Sequence, residues 1–355
     1  MSCMRFRSVV FILGLLVAAP ARAQVYPERA PSAARVRGEQ QRDRARQARD
    51  RDQNGRDEQT ERTTRTVRIG ANGELDVANV AGDIVISRGA GQDATIEIVK
   101  TARAQSADEA RTALGLVQVE VNERGGRAEV RTRYPNSDEM RGGNRRNLNV
   151  SVTYTITAPA TARITARSVS GSVTARDVRG ELTLESVSGN VVITNGGRVA
   201  AAKSISGNVE ITGAEVDGAL EASSVSGSVA ARKVKARQIS LSTVSGNVAI
   251  EDGEATRVDM QAVSGDISLA GALARGGRYT MNSHSGEIKV MLSGTIGFEL
   301  EASTFSGSIR SDLPLTGGSA DGRGRRQREV RGVYGDGSAV LDLNTFSGSV
   351  VISKR

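Results

Sequence analysis

His284 is the only histidine in the chain, so a Ser-His-Asp triad or a histidine metal site would have to use it. Ser283 and Ser285 flank it, but a triad is defined by spatial geometry and not by adjacency in sequence. His284 also stands where a repeated motif elsewhere has Val or Phe. We therefore expect its ring to be packed or half-buried in the fold, and we predict no catalytic residue and no enzymatic activity.

The sequence lacks the residue spacings that are typical of metal sites, since neither C-x-x-C nor H-E-x-x-H occurs. Asp83 and Asp266 each follow a glycine, but isolated carboxylates do not form the Gly-Gly-x-Gly-x-Asp calcium repeats of other solenoids. Cys3 is the only cysteine and precedes the first apolar run. Gly317-Gly318 belongs to no phosphate-binding G-K-[ST] motif. We expect no metal, no cofactor and no disulfide.

The formal net charge is +8, from 48 basic and 40 acidic residues. One cluster of positive charge lies in a Gly- and Arg-rich basic loop at residues 316–337. Its candidate contacts for an anion or a protein partner are Arg323, Arg325, Arg326, Arg328 and Arg331. An anionic envelope polymer would be attracted to such a loop, whereas the alternative interpretation is a solvated surface insertion. The chain has no Trp and only 5 Phe and 5 Tyr, so a stacking surface for nucleic acid is not expected.

These candidate residues must be positioned by a repeat, which recurs from Ser168 onward as an apolar residue, Ser, Gly, a polar residue, and Val or Ile. Its glycines are Gly171, Gly189, Gly207, Gly227, Gly246, Gly265, Gly286, Gly307 and Gly348. They are separated by 18, 18, 20, 19, 19, 21, 21 and 41 residues. A nearly constant period of this length predicts a solenoid, whose coils bury their apolar side only by stacking on one another.

Each coil is predicted to consist of short strands joined by corners, with Ser-Gly at one corner. The flanking Val or Ile should point into the stack, and the residue after Gly should form an external polar ladder. The last step of 41 residues equals two coils, one of them interrupted by the basic loop. The predicted fold class is therefore all-β, a single β-solenoid of roughly 19-residue coils.

The region before the repeats predicts a small α/β cap on this solenoid. Alternating apolar residues indicate strands from Val67 onward. Ser106-Ala107-Asp108-Glu109 has the form of a capping box and predicts one short helix. We assign residues 67–355 to the solenoid, with a capping insertion at 101–160 that covers the exposed edges of its first coil.

Residues 1–23 have the pattern of a signal peptide, with Arg5 and Arg7 before an apolar run and Ala21-Arg22-Ala23 as the cleavage site. The apolar run is shorter than the roughly 20 residues that span a bilayer, so no stable transmembrane segment is expected after cleavage. Residues 24–66 are polar and rich in Arg, which predicts a disordered leader or linker, or else a short charged helix. We expect export to the periplasm, the cell surface or the medium.

The serial motif resembles the bacterial "putative adhesin" β-strand-repeat family, also called the domain of unknown function 4097 family. The resemblance runs from about Val67 to the end of the sequence, and includes Thr345-Phe346-Ser347-Gly348-Ser349-Val350 after a Gly-rich loop. It implies a cell-envelope β-solenoid with a role in adhesion or surface interaction. It transfers no catalytic residue to this chain.

The sequence thus predicts a non-enzymatic exported envelope protein that binds an anionic envelope polymer or an envelope protein. One alternative is a structural or sensory envelope component that binds a protein partner. A second is a β-helix polysaccharide lyase, which the lack of Trp and the scarcity of Tyr disfavour. Lys354 and Arg355 at the end of the last coil would discourage strand addition, which predicts a monomer.

Overall fold

The computed structural model describes residues 57–135, 149–317 and 328–355, which form two sheets of 13 strands each. From the N-terminal end, the first sheet contains β1 (Asp57–Arg68), β4 (Asp93–Ala104), β7 (Val150–Pro159), β3 (Ile84–Gly89), β9 (Val173–Arg176), β11 (Val191–Thr194), β13 (Val209–Thr212), β15 (Val229–Arg232), β17 (Val248–Glu251), β19 (Ile267–Ala272), β21 (Ile288–Ser293), β26 (Val350–Lys354) and β23 (Ile309–Ser311). The second contains β5 (Gln118–Arg124), β6 (Arg127–Arg133), β2 (Glu74–Ala81), β8 (Arg163–Ser170), β10 (Glu181–Ser188), β12 (Arg198–Ser204), β14 (Glu215–Ser226), β16 (Lys235–Ser245), β18 (Arg257–Ser264), β20 (Arg278–Ser285), β25 (Ala339–Ser347), β22 (Phe298–Ser306) and β24 (Glu329–Tyr334). The predicted β-solenoid is confirmed.

Each coil contributes one strand to each sheet, and the Ser-Gly corner joins the two strands. In β10, Leu182 and Leu184 point inward and are fully buried, while Thr183 between them is partly exposed. Equivalent positions of neighbouring coils pair in parallel register, as Val191 does with Val173 on one side and Val209 on the other. The core is therefore a set of columns of Val, Ile, Leu and Ala that run along the solenoid axis.

Of the two apolar residues that flank each Ser-Gly, only the second points into the stack. Val173 is fully buried, but Val169 is 49% exposed, so the prediction that both face inward is wrong for the first position. The reason is the two-residue alternation of a strand. Ala166 and Ser168 take the inward positions of β8, which leaves Val169 on the outer face.

The last coil of the chain is not the last coil of the stack. Strand β25 pairs with both β20 and β22, and β26 pairs with both β21 and β23. The 41-residue step between Gly307 and Gly348 contains one coil, β23 followed by β25, with β24 inserted between them in sequence, so the prediction of two coils is wrong. In the stack, the coil of β25 and β26 lies before the coil of β22 and β23. Strand β24, which lies between these two coils in sequence, runs antiparallel to β22 at the end of the sheet and covers the free edge of that strand. Part of the predicted basic loop at 316–337 is thus a capping strand, while residues 318–327 lie outside the described residues.

At the other end, the first described residue, Asp57, already lies in a strand, so the prediction that the leader extends to residue 66 is wrong. Strand β1 is polar, but it pairs along its whole length with β4, and cross-strand ion pairs replace apolar packing. Arg62 lies 3.0 Å from Glu97, and Arg103 lies 2.8 Å from Glu58. The predicted signal peptide and residues 24–56 lie outside the described residues.

The predicted cap is built from β4 to β7 and one helix, α1 (Ala107–Leu116). The side chain of Ser106 accepts a hydrogen bond from the Glu109 backbone N–H, as the capping box predicts. Strand β6 extends the second sheet beside β2, and β7 extends the first beside β3. Within the described residues, no helix has the length and hydrophobicity to cross a bilayer.

A buried polar network ties this cap to the first coil. Thr132 donates to Asn79 Oδ1 at 2.9 Å and lies 2.5 Å from the Tyr154 hydroxyl. Asn79 in turn donates to the carbonyls of Gly82 and Val152. Burial raises the pKa of the Tyr154 phenol to about 12.

Because Tyr154 has a higher pKa folded than unfolded, its contribution to stability is complete below pH 10 and is lost as the pH rises toward 12. We expect the free energy of unfolding, measured with urea, to fall by about 2–3 kcal/mol over that interval from this residue alone. Tyr154→Phe should show a smaller fall, because it removes the Tyr154 phenol. Some fall should remain, because burial also raises the pKa of Tyr134 to about 12. Equal falls in the variant and the wild type would contradict this assignment.

The coils approach most closely at the glycine of the corner. A methyl group on Gly227 would lie 2.2 Å from the carbonyl oxygen of Gly207, which is closer than any real contact. The same contact, at 1.9 to 2.4 Å, recurs along a row that in spatial order is Gly82, Gly171, Gly189, Gly207, Gly227, Gly246, Gly265, Gly286, Gly348 and Gly307. A side chain at any of these positions would separate the coils.

We therefore expect Gly227→Ala to lower the free energy of unfolding by about 3 kcal/mol, as overpacking of a rigid contact does. Gly218→Ala is the matched control, because nothing lies within 4 Å of a methyl group there. The control should change stability by less than about 0.5 kcal/mol. Urea unfolding followed by circular dichroism measures both, and similar stabilities of the two variants would refute the close-contact argument.

Candidate functional site

The most prominent surface feature is a row of exposed apolar and aromatic side chains, one from each of ten successive coils. We call it the ridge. In spatial order its members are Val80, Val169, Val187, Ile205, Val225, Val244, Val263, His284, Phe346 and Phe305. At the usual spacing between parallel strands the ridge is about 43 Å long. Contiguous exposed apolar surface of this kind marks an interaction site.

A column of buried hydroxyl groups beneath the ridge holds each corner in place. Ser224 donates to the Gly207 carbonyl at 2.8 Å, and Thr243 donates to the Gly227 carbonyl at 2.8 Å. One inward residue precedes each ridge residue. In spatial order these inward residues are Asn79, Ser168, Ser186, Ser204, Ser224, Thr243, Ala262, Ser283, Thr345 and Thr304. Because this residue is bonded inward, the next residue is held on the outer face.

The polar residues after each glycine form the predicted external ladder, which is confirmed. The backbone N–H of Asn208 donates to Asn190 Oδ1 at 2.9 Å, and that of Ser228 donates to Asn208 Oδ1 at 2.8 Å. Asp83 and Asp266 accept from the next coil in the same way. Their carboxylates therefore complete the hydrogen bonding of the corner, and within the described ranges no cluster of three metal-ligating side chains occurs.

The C-terminal third of the ridge is aromatic. The His284 ring stacks on Phe346 with centroids 5.0 Å apart, and Phe346 stacks on Phe305 at 4.8 Å, with planes within 7° of parallel. His284 is exposed, which corrects the expectation of a packed or half-buried ring. The hydroxyl of neighbouring Ser283 points the other way and donates to the Gly265 carbonyl. Phe346, which is stacked on both faces, thus presents its ring edge to solvent.

A groove of about 680 Å³ runs beside this part of the ridge. Its floor is formed by the outward side chains two residues before the ridge, which we call the polar column. In the groove these are Ser242, Gln261, Asn282, Asn344 and Ser303. Toward the N-terminal end the same column is charged, and Arg167 pairs there with Glu185 at 3.1 Å. The groove therefore offers hydroxyl and amide groups beside an apolar wall.

The predicted arginine contacts do not form one site in the described residues. Arg323, Arg325 and Arg326 lie outside those residues. Arg331 is paired with Glu301 at 2.7 Å and with Glu329 at 3.1 Å, so its charge is neutralised on the capping strand. Arg328 is exposed, and its backbone carbonyl accepts from the Thr304 N–H.

Sequence reasoning missed the ridge and the polar column. The signal was available, because the Ser or Thr that precedes most ridge residues could have been placed inward and the two-residue alternation of the strand then followed in both directions. The hydrophobicity of Val and Ile at the ridge positions outweighed that count. Only the side-chain direction distinguishes the buried Val173 from the exposed Val169.

Ala262 interrupts the hydroxyl column, which provides a test of that column's contribution. Ala262→Ser should restore a donor toward the Gly246 carbonyl and raise the free energy of unfolding by about 0.5–1 kcal/mol. Ser224→Ala should lower it by about 1 kcal/mol, since it removes the bond to Gly207. Urea unfolding measures both changes. Destabilisation of comparable size in both variants would show that the column contributes packing and not hydrogen bonding.

The chain is similar to several solved bacterial proteins and to one family model. No protein of curated function matches the sequence significantly. A solved putative adhesin from Bacteroides fragilis is 16% identical over 83% of this chain and 97% of its own, with a TM-score of 0.39. A putative cell adhesion protein from Clostridium sporogenes is 12% identical over 84% and 100%, with a TM-score of 0.28. A putative lipid binding protein from Parabacteroides distasonis is 16% identical over 83% and 96%, with a TM-score of 0.34. The Toastrack DUF4097 family model matches residues 72–353, and the chain therefore belongs to the DUF4097 Toastrack family.

Proposed function

We propose that the protein is an exported, non-enzymatic β-solenoid of the cell envelope that binds a surface partner through the ridge and its groove. The observation that carries this proposal is the exposure of an apolar or aromatic residue in each of the ten coils. Isolated exposed valines are ordinary, but a contiguous row over ten coils leaves apolar surface in water along most of the solenoid. Binding a partner would remove that surface from water.

The N-terminal sequence supports the envelope as the place of action. Residues 1–23 have the charged, apolar and small-residue regions of a signal peptide. A fold that contains no disulfide suits an exported protein when backbone pairing holds it together, as the two parallel sheets do here. Export would expose the ridge to envelope polymers and proteins.

The chemistry of the groove supports binding rather than catalysis. A polysaccharide lyase needs a base near the sugar and a cation or acid to neutralise the developing charge. The groove instead presents Gln261, Asn282 and Asn344, whose amides do neither, and its one possible base, His284, has no cation or carboxylic acid beside it among the residues that line the groove. The rings of His284 and Phe346 are stacked on each other. These residues are suited to hold a ligand and not to cleave it.

The first test measures binding of the purified protein, expressed with its own N-terminal sequence, to envelope fractions at low and high salt. We expect Val244→Ser/Val263→Ser to weaken binding at least about tenfold, because both side chains line the groove. We expect wild-type binding to persist at high salt, since apolar contact is not screened. The matched control is Arg323→Ser/Arg325→Ser/Arg326→Ser, which should bind normally.

Binding that is lost at high salt and in the arginine variant would support an anionic polymer at the basic segment and contradict the ridge. Absence of wild-type binding to any fraction would contradict a surface-interaction role altogether. Fractionation of cells tests export separately. Circular dichroism and urea unfolding should show the ridge variant folded, because both substituted side chains are about half exposed.

A further inference from the structure

We propose that the groove beside the aromatic part of the ridge binds a neutral, linear glycan that lies along the solenoid axis and crosses several coils. This inference rests on the proposed function, because it names the ligand class of the same site. It specifies an uncharged ligand, in place of the anionic polymer that the net charge favours.

The polar column supplies the hydrogen bonds. Over six successive coils its members are uncharged, and in spatial order they are Ser223, Ser242, Gln261, Asn282, Asn344 and Ser303. Amides and hydroxyls both donate and accept, as sugar hydroxyls do. Ser303 donates to Asn344 Oδ1 at 2.6 Å, and Asn344 Nδ2 lies 3.4 Å from Asn282 Oδ1. These bonds fix the orientation of the side chains before a ligand arrives.

The ridge supplies the apolar wall on the other side of the groove. Val244 and Val263 offer methyl groups, and Phe346, stacked between His284 and Phe305, offers its ring edge. Ring edges carry the positive part of the aromatic quadrupole and so favour hydroxyl oxygens. A pyranose ring has an apolar C–H surface bordered by hydroxyl groups. It therefore matches a methyl-lined wall that meets an amide column.

Charge decides against an anionic ligand. The groove is lined by uncharged hydroxyl, amide and apolar side chains together with His284. The next outward column, two residues further from the ridge, contains Asp259, Asp342 and Glu301. Glu301 is paired with Arg331, but Asp259 and Asp342 have only amide neighbours among the described contacts. A polyanion in the groove would meet these carboxylates, whereas a neutral glycan would not be repelled.

Spacing decides against an extended peptide. Successive coils repeat at about 4.8 Å, whereas side chains on one face of an extended peptide recur at about 6.8 Å. A peptide along the axis would therefore fall out of register within two coils. A second copy of the chain would match the spacing, but along the full ridge it would desolvate ion pairs such as Arg167 with Glu185 and Lys203 with Glu221. A glycan requires only the uncharged half.

The test measures binding of cellohexaose, maltohexaose and a polygalacturonate hexamer to the full protein by calorimetry. We expect one of the two neutral oligosaccharides to bind with an affinity that does not change between low and high salt, and the anionic hexamer not to bind. Gln261→Ala/Asn282→Ala should raise the dissociation constant of the neutral oligosaccharide at least about tenfold. Glu185→Ala/Lys203→Ala, in the same column but outside the groove, is the matched control and should bind normally.

Failure of both neutral oligosaccharides to bind the wild type would overturn the inference, as would equal losses in the two double variants. If the protein binds envelope fractions through the ridge but binds no oligosaccharide, the proposed function is supported and only the assignment of a glycan as ligand is contradicted. Analytical ultracentrifugation provides the remaining outcome. A dimer that Val244→Ser/Val263→Ser dissociates would assign the ridge to a second copy of the chain. Urea unfolding establishes that each variant is folded. If Gln261→Ala/Asn282→Ala is not folded, Gln261→Glu, which keeps the side-chain size, replaces that variant.

Discussion

The close contact between glycines at the Ser-Gly corner is the constraint on which the rest of the structure depends. Because each glycine packs directly on the backbone of the next, every coil must adopt the same spacing and the same corner conformation. The buried hydroxyl column and the external polar ladder follow from that register, since each spans from one coil to its neighbour. The ridge follows as well, because a residue held between an inward Ser and a corner Ser-Gly has only the outer face available.

Much of this architecture could be predicted from the sequence, because the motif is repeated and each copy indicates the same local structure. The period indicated the solenoid, the glycine indicated the corner, and the capping box of Ser106 indicated the helix. What could not be predicted depends on pairing partners that are distant in sequence. Strand β1 contains almost no apolar residue, and only its pairing with β4 and cross-strand charges such as Arg62 with Glu97 order it. The order of the last two coils depends likewise on the pairing of β25 with β20, which is distant in sequence.

That order matters for the candidate site. Phe346 belongs to the last coil in the chain, yet it stacks between His284 and Phe305. Asn344 occupies the same intermediate place in the polar column. The aromatic row and the groove are therefore complete only when the coil of β25 and β26 has inserted between its neighbours.

The outer face of the second sheet has two parts with different chemistry on one continuous scaffold. In the N-terminal part, ion pairs such as Arg167 with Glu185 keep the polar column charged and hydrated, which opposes close association with another surface. In the C-terminal part the column loses its charges while the ridge gains its rings, so desolvation costs less where more apolar contact is available. The backbone does not require this change, since the coils pair in one register where each strand reaches the ridge. The change in side-chain chemistry along an unchanged repeat is the reason to place the binding site at the aromatic end.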